Sequence, residues 1–412
     1  MWMLAGFRLA LMLGLLFPML NAAQAADGIE VSGAQVSEYH FGKQATIQAT
    51  VISTAAVQQI SLFLESEGKN TQVIDVPPTP DGKLTIRLDL RQVALRPFAR
   101  VKFWFKILPE NGAAFDSSPS WFDYIDNRFN WQSNTSEVAN IYWAEGGQDF
   151  GQTAQNVTKD SLTALGTLLP LPQVIPPINI YIYPHAIDLQ TGLETNGQNW
   201  VAGHASPDLG VILVAVPTGS EQKIEMEQKI PHEMAHVLTY QVVGKAYDRL
   251  PVWLVEGMAS QVELYPNTDY SRSLEQARLH QTLIPMSTLC LSFPRDASNA
   301  FLSYSQSASF VKYLQNTYGS SGLSKLMNFY SDGMGCSEGM YAAFGLSLEQ
   351  MDTNWRQKIL KVNFTELAWV KLSPYMFLFA VIILVPAGLT VLRTREHAAL
   401  SKGQKQGGQS GE

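Results

Sequence analysis

The sequence predicts a multidomain chain with an all-β region first, an α+β domain second and one membrane-spanning helix near the C-terminal end. Three patterns carry this prediction: short alternating strands from about residue 27 to 130, helical periodicity after Ser220, and an uncharged apolar run from Pro374 to Leu392. The chain has 412 residues, of which 46% are apolar and 16% charged, an ordinary globular composition. That length suggests two or three domains.

The first 25 residues have the pattern of a secretory signal. One cation, Arg8, precedes an apolar run from Leu9 to Leu20, and Ala23-Gln24-Ala25 provides the small residues that a signal peptidase requires. We therefore predict a signal peptide over residues 1–25 that is removed from the mature protein. An uncleaved N-terminal anchor is the alternative.

Residues 26–132 show the alternation of a β-sandwich. Apolar and polar residues alternate over Gln44–Ile52, Leu84–Leu90 and Val101–Ile107, and turn residues such as those of Pro80-Asp81-Gly82 separate the runs. Several short strands over about 100 residues are typical of an immunoglobulin-like sandwich.

The periodicity changes after residue 137. Ile178–Tyr183 and Val211–Val216 read as strands, Thr153–Leu169 reads as a helix, and the segment after Ser220 is mostly helical. Strands followed by a series of helices predict an α+β domain. The strand at about 210–216 is expected to be a sheet edge to which an extended peptide could add.

Residues 372–392 are predicted to cross a membrane. The uncharged run of nineteen residues from Pro374 to Leu392 spans about 28 Å as a helix, close to the thickness of a hydrocarbon core. Arg393 and Arg395 follow at once, but Lys358, Lys361 and Lys371 lie on the other flank, so charge alone does not decide the orientation. The predicted signal peptide decides it, because it places the N-terminal side of the helix outside. We therefore predict a cytoplasmic tail over residues 393–412, disordered from Ser401. A buried core helix is the alternative.

The two cysteines, Cys290 and Cys336, both fall on the exported side of that helix. An even count in an oxidising compartment favours one disulfide between them, and two separate buried thiols are the alternative.

The net charge of −7 is mild and not concentrated in any block. No basic surface with interleaved aromatic residues is apparent, so nucleic acid is not an expected partner.

The run His232–His236 reads HEMAH and carries the clearest chemistry in the chain. Two histidines four apart on a helix lie one above the other, so both imidazoles can reach a single ion. Zn²⁺ that activates water needs three protein ligands and an open position. Glu233 is offset from the histidines and can act as the general base. An amphipathic helix with two exposed polar histidines is the alternative.

Glu256 is the candidate third ligand. It lies twenty residues after His236, inside the strongly apolar segment Pro251–Ala259. A buried carboxylate is costly unless it is paired or binds a metal. The spacing leaves room for a loop and a second helix that returns antiparallel to the first.

These residues resemble the gluzincin metallopeptidases, and more narrowly the bacterial peptidase MA-like family, with its H-E-x-x-H and W-L-x-E-G-x-A motifs. The second motif reads Trp253–Ala259 here, and the resemblance covers about residues 137–362. It implies a zinc peptidase in which His232, His236 and Glu256 hold Zn²⁺ and Glu233 is the general base.

The resemblance also proposes Tyr304 as a catalytic residue whose hydroxyl stabilises the developing oxyanion. A core tyrosine is the alternative reading, and His280 or Tyr270 could serve instead. The position four after Glu256, where some gluzincins carry an acid that supports a histidine, is Ser260, so a backbone carbonyl is expected in that role.

The predicted function is a membrane-anchored, extracytoplasmic zinc peptidase that acts on a protein or peptide substrate. The aminopeptidase G-x-M-E-N strand is absent, since Val201–Pro207 contains no glutamate. That favours an endopeptidase over a strict aminopeptidase. His204 in this segment is expected to be a loop residue. The alternative function is a cell-surface binding or adhesion protein whose peptidase domain is vestigial, and an intramembrane protease is disfavoured because the motif lies far from the apolar helix.

Overall fold

The computed structural model describes residues 28–173, 175–193, 203–362 and 364–407. The predicted signal peptide lies outside these residues, as do the last five residues of the tail. The chain divides into two compact units, Met1–Asn130 and Trp131–Glu412.

The described part of the N-terminal unit is built from β-strands. They are β1 (Ile29–His40), β2 (Gln44–Ser53), β3 (Val57–Ser66), β4 (Gln72–Val76), β5 (Lys83–Asp89), β6 (Arg100–Pro109), β7 (Phe115–Asp116) and β8 (Ser120–Asp123). One sheet has the order β1-β2-β5, and the other has the order β4-β3-β6-β7, with β8 also paired to β6. The neighbouring strands in both sheets are antiparallel.

The alternation predicted for β6 gives this unit its core. Val101, Phe103, Phe105 and Ile107 are fully buried, while Lys102 and its alternate neighbours point outward. Because successive strand residues face opposite sides, one face of each sheet supplies the apolar side chains of a shared core. The prediction of a β-rich N-terminal region is confirmed.

The C-terminal unit begins with a mixed α/β layer. Its elements are β9 (Gln132–Thr135), β10 (Ala139–Trp143), α1 (Gln148–Leu168), β11 (Ile178–Tyr183), α2 (Ala186–Gly192), β12 (Gly203–Ser206) and β13 (Val211–Ala215). The five strands form one sheet of order β12-β13-β11-β10-β9. Strands β10, β11 and β13 are parallel, and β9 and β12 run antiparallel at the two edges.

This order corrects the prediction about the sheet edge. Strand β13 is buried along its length and has neighbours on both sides, so it cannot accept a peptide. The edge is β12, whose residues are half-buried and whose side chains are mostly small. The prediction missed β12 because this strand is only four residues long and has no apolar alternation.

The rest of the unit is helical. The helices are α3 (Gln222–Val243), α4 (Val252–Gln261), α5 (Asp269–Leu279), α6 (Ala297–Ser331), α7 (Cys336–Phe344), α8 (Leu348–Lys358) and α9 (Phe364–Gly407). Helix α6 is interrupted at Gly319, which has a left-handed φ of 71° that suits glycine. Trp253, Phe310 and Trp355 are fully buried and pack edge to face in the shared core.

Helix α9 contains the predicted apolar run. Within the described residues, Leu372–Arg395 is a helical stretch of 24 residues with a mean hydropathy of 2.4, none of it buried, and it is long and apolar enough to cross a membrane. The helix continues to Gly407, so the predicted disorder from Ser401 is wrong for residues 401–407. Residues such as Leu400, Lys402 and Gln404 are good helix formers and extend the helix beyond the apolar run.

The two cysteines form the disulfide Cys290–Cys336, and the chain between them spans a sequence separation of 46.

Candidate metal centre

Helix α3 presents both histidines of the HEMAH run to one point. His232 and His236 lie one turn apart, with their ring centroids 5.3 Å from each other. Glu256 comes from the middle of α4, which follows α3 after the short 3-10 turn Gly244–Arg249. The ligand atoms of these three residues all lie within 4.8 Å of one another, the one such group among the described residues.

The three side chains face each other in a way that fits a cation. Oε2 of Glu256 lies 3.3 Å from Nε2 of His232 and 3.7 Å from Nε2 of His236. That oxygen is buried and accepts no hydrogen bond from the described residues. A buried carboxylate oxygen without a donor is costly, and a metal ion between the three groups would satisfy it. Two histidines and one glutamate are a ligand set that zinc peptidases use.

The other ring nitrogen of each histidine is already engaged. Nδ1 of His232 lies 3.1 Å from Oε1 of Glu263, and Nδ1 of His236 lies 2.9 Å from the hydroxyl of Tyr247. With Nδ1 carrying the proton, each ring donates to its partner and leaves the Nε2 lone pair free for a metal.

Sequence reasoning missed both of these supporting residues. The backbone carbonyl expected in place of an acid at Ser260 is not what holds His232, because the carboxylate of Glu263 does. Glu263 lies between Val262 and Leu264, so the signal that identified Glu256, a carboxylate among apolar neighbours, was also present there. Tyr247 lies in the loop after α3 and has no pattern that would identify it.

Burial and charge give the titratable groups distinct pKa values in the metal-free site. Burial would lower the pKa of His232, but the neighbouring carboxylates of Glu256 and Glu263 raise it well above its usual range. Burial lowers the pKa of His236 to about 4. Burial alone would raise the pKa of Glu256, but the two histidines hold it below its usual range.

Glu233 is buried beside the ligands. Burial raises its pKa to about 7, a value that includes the opposing effect of His232 and the smaller upward effect of the Glu256 charge. The backbone of Gly203 on the edge strand β12 lies directly against this carboxylate, since a Cβ at that position would overlap Oε1 of Glu233. The carboxylate of Glu233 therefore lies between helix α3 and β12, the strand at the end of the described sheet.

Tyr304 lies close to the same group. Its ring centroid is 6.2 Å from that of His232, and Phe293 packs edge to face against its other side at 5.0 Å. Burial and the carboxylates of Glu256 and Glu233 raise its pKa, so the hydroxyl keeps its proton and can donate a hydrogen bond.

The other residues considered for that role lie in different settings. Burial raises the pKa of Tyr270, and the charges of Glu263 and Glu256 add to that effect. His280 is exposed at the C-terminal end of α5. His204 is on the edge strand β12, not in a loop, and its charge acts on His236.

Helix α4 approaches the rest of the site closely because of Gly257, which follows Glu256. A Cβ at Gly257 would overlap Cγ2 of Val311 and lie 2.5 Å from the carbonyl oxygen of Ser307, both on α6. The amide of Gln261 adds a hydrogen bond of 2.8 Å to the carbonyl of Ala308. The glycine thus lets α4 pack directly against the helix that carries Tyr304.

Comparisons with known proteins add a family match. A sequence model of the Peptidase MA superfamily matches residues 159–361, a region that includes α3, α4 and α6. No match was found among curated proteins.

Comparisons with solved structures align only about a quarter of the chain. Wild-type OgpA from Akkermansia muciniphila is 13% identical over 24% of this chain and 30% of its own, with a TM-score of 0.20. A family 56 carbohydrate-binding module that binds β-1,3-glucan is 15% identical over 23% of this chain and 98% of its own, with a TM-score of 0.16. At these scores the matches do not establish a shared fold.

Proposed function

We propose that the chain is a membrane-anchored zinc peptidase in which Glu233 is the general base, on the premise that residues 159–361 match the Peptidase MA superfamily. The observation that carries the proposal is the convergence of His232, His236 and Glu256, from two helices, around one buried and unsatisfied carboxylate oxygen. The superfamily is generally zinc-dependent, which agrees with this set of donors.

Zn²⁺ would be held by His232, His236 and Glu256. When bound, it would act as a Lewis acid toward the scissile carbonyl and make a water more acidic. The carboxylate of Glu263 and the hydroxyl of Tyr247 fix the two imidazole rings, so the ligands are oriented before the metal enters.

Glu233 would transfer a proton from the attacking water to the leaving amine. As a carboxylate it accepts a proton from the attacking water, and as the acid so formed it delivers that proton to the leaving amine. Its confinement by Gly203 restricts the carboxylate to a narrow range of positions, which favours proton transfer in a fixed direction.

Tyr304 is the proposed oxyanion donor. Its hydroxyl stays protonated because its pKa is raised, and its ring lies beside His232. A donor held at this place can stabilise charge that develops on the substrate carbonyl oxygen, an effect of about 3 kcal/mol in enzymes where such a donor has been removed.

The edge strand β12 would bind the substrate backbone. Its side away from β13 pairs with no strand of the described residues and could pair with an extended peptide, and Gly203 lies next to Glu233. Residues 203–206 of this strand carry no carboxylate that could bind a free α-amine. This supports cleavage within a chain over removal of single N-terminal residues.

Helix α9 would anchor the enzyme in a membrane. Arg393 and Arg395 at the end of the apolar stretch, together with the predicted signal peptide, favour a cytoplasmic position for that end, and the catalytic unit would then lie outside the cytoplasm. The disulfide Cys290–Cys336 is consistent with an oxidising compartment. The N-terminal unit has two sheets, one of three strands and one of five, and this arrangement supports an immunoglobulin-like sandwich.

The test of the function is Glu233→Gln. The substitution keeps the size of the side chain but removes its ability to accept a proton, so zinc content should stay at one per chain while turnover of an unfolded protein such as casein falls at least about a hundredfold. Zinc is measured by elemental analysis and turnover by release of peptides. Glu221→Gln, the same change at an exposed position before α3, is the matched control and should retain full activity.

Proteolysis that is unchanged in Glu233→Gln would refute the mechanism. A wild-type protein that binds zinc but cleaves no peptide would instead favour the binding or adhesion protein with a vestigial peptidase domain.

A further inference from the structure

Helix α3 contains a proline immediately before the first histidine. Pro231 lies in the interior of the helix and precedes His232. A proline has no backbone N–H, so it cannot donate the helical hydrogen bond to the carbonyl of residue 227. Proline in a helix interior is about 3 kcal/mol less favourable than alanine. Helical stability alone gives no reason to place it here.

The carbonyl of Glu227, which Pro231 leaves without its helical donor, accepts hydrogen bonds from outside the helix. The oxygen of Glu227 accepts a hydrogen bond of 2.9 Å from the backbone N–H of Leu264 and one of 3.4 Å from that of Tyr265. This segment follows the end of α4 at Gln261 and belongs to no helix or strand. The free carbonyl therefore fixes an irregular segment to the side of α3.

The residue just before this anchor is Glu263. Its carboxylate is nearly inaccessible to solvent, with 6% of the side chain exposed, and it lies 3.1 Å from Nδ1 of His232. The segment thus contacts α3 at two neighbouring points, the carbonyl of Glu227 and the ring of His232. Fixing the backbone of Leu264 fixes the place from which Glu263 reaches the ring.

We propose that Pro231 is a positioning residue: by freeing the carbonyl of Glu227 to hold Leu264, it places Glu263 against His232 and prepares the ring to bind zinc. The inference rests on the metal site of the proposed function. It extends that site to a residue that contacts neither the metal nor the substrate.

A purely structural proline would behave differently from a positioning one. Pro231→Ala restores an N–H that competes with Leu264 for the Glu227 carbonyl, and it also raises helix propensity. The metal-free protein should therefore unfold at the same temperature or higher, while its zinc affinity falls. Stability and zinc affinity that change in opposite directions are not expected if the proline serves only the fold.

The experiment is a double-mutant cycle in the full-length protein in detergent, with zinc affinity measured by competition against a chromophoric chelator. Glu263→Gln should weaken zinc binding by about 10- to 100-fold, the usual effect of losing such a partner. Pro231→Ala should weaken it by about 3- to 10-fold. The double variant should bind zinc like Glu263→Gln alone, because the proline acts through that glutamate.

Pro217→Ala, at an exposed position outside any helix, is the control and should leave zinc affinity unchanged. Hydrogen exchange gives a second measurement, since the amide of Leu264 should exchange faster in Pro231→Ala than in the wild type. Unchanged zinc affinity, unchanged exchange at Leu264, or full additivity with Glu263→Gln would each overturn the proposal. These measurements do not depend on turnover, so a chain that binds zinc but cleaves nothing would refute the proposed peptidase and still test the role of Pro231.

Discussion

Glu233 combines a buried position with the proposed role of general base, which requires charge. Burial raises its pKa to about 7, so in the metal-free protein the proton is held near neutrality. Such a value suits a group that must both accept and return a proton under physiological conditions. A cation bound by its neighbours can only lower that pKa, because positive charge favours the carboxylate.

The pH dependence of activity follows from this environment. Glu233 must be ionised to accept a proton, so kcat/KM should decrease as the pH falls, with a midpoint at or below about 7. The measurement is kcat/KM from about pH 5 to about pH 9, with bound zinc determined at each pH because protonation of His232 also opposes metal binding. A midpoint clearly above pH 7, or activity that increases toward acid, would contradict the assignment.

Gly203 should tolerate no side chain while Glu233 is present. Its φ is not in the left-handed region, so alanine fits the backbone, but a Cβ would overlap Oε1 of Glu233. Gly203→Ala should therefore destabilise the zinc-free protein by about 1–3 kcal/mol and lower kcat. In a Glu233→Ala background the same change should cost close to nothing, because the overlapping atoms are gone.

Thermal unfolding of the four variants measures this coupling. Gly166→Ala is the control, since a Cβ at Gly166 would meet only Leu171, at 3.8 Å, so its effect on stability should be the same with and without the Glu233 carboxylate. Equal destabilisation by Gly203→Ala with and without the Glu233 carboxylate would show that the contact is not the cause.

Helices α4 and α6 meet where the site is built. Helix α4 has only ten residues and holds Glu256, the proposed third ligand, in place because it packs against both α3 and α6. The contact with α6 is close at Gly257, where the backbone of one helix approaches the side chain of Val311 and the carbonyl of Ser307. The conformation of Gly257 is an ordinary helical one, so the requirement for glycine there comes from packing alone.

Gly257→Ala is expected to separate these helices. The added methyl group should cost about 1–3 kcal/mol of unfolding free energy and weaken zinc binding, because Glu256 moves with α4. Gly166→Ala on α1 is the comparison: its Cβ would meet only Leu171, at 3.8 Å, so the higher helix propensity of alanine should stabilise the protein by up to about 1 kcal/mol. Chemical denaturation and chelator competition measure both effects, and a neutral Gly257→Ala would show that the helices can separate at no cost.

The disulfide connects distant parts of the C-terminal unit to the start of α4. The carbonyl of Cys290 accepts a hydrogen bond of 2.9 Å from the N–H of Val252, the first residue of α4. Nε1 of Trp253 lies 3.3 Å from Sγ of Cys336. Both halves of the bridge thus contact the helix that carries Glu256.

Removal of the disulfide should therefore affect both stability and the metal site. The double variant Cys290→Ser/Cys336→Ser should lose about 2–4 kcal/mol of unfolding free energy, because the unfolded chain is no longer restrained by the cross-link. Its zinc affinity should also fall, since the first turn of α4 loses its support. Calorimetry and chelator competition on the oxidised, reduced and double-serine proteins test this, and unchanged zinc affinity in the double variant would show that α4 is held without the bridge.

The strong local patterns of the chain were sufficient to predict its main elements. The alternation of Val101–Ile107 identified a strand whose apolar side is fully buried, and Ile178–Tyr183 matches β11. The HEMAH run and the carboxylate of Glu256 were found from their spacing and apolar context. Such signals are readable because a single helix or strand imposes its own period on the sequence.

Contacts between segments far apart in the sequence could not be read in this way. Nothing in the order of residues shows that Glu263 and Tyr247 reach the histidines, or that Gly203 lies against Glu233. The edge of the sheet was misassigned for the same reason, since pairing of the short β12 with β13 depends on the path of the chain and not on a pattern within the strand.

The sequence by itself determined the kinds of secondary structure, the apolar helix near the C-terminal end and the residue types that make a zinc peptidase plausible, because those properties follow from local periodicity and side-chain chemistry. Only the tertiary structure decided how His232, His236 and Glu256 converge, which residues support them, and which strand ends the described sheet beside Glu233. These contacts depend on how the helices pack and on individual hydrogen bonds between distant segments, such as the one that the Glu227 carbonyl accepts from Leu264. They depend on the whole fold.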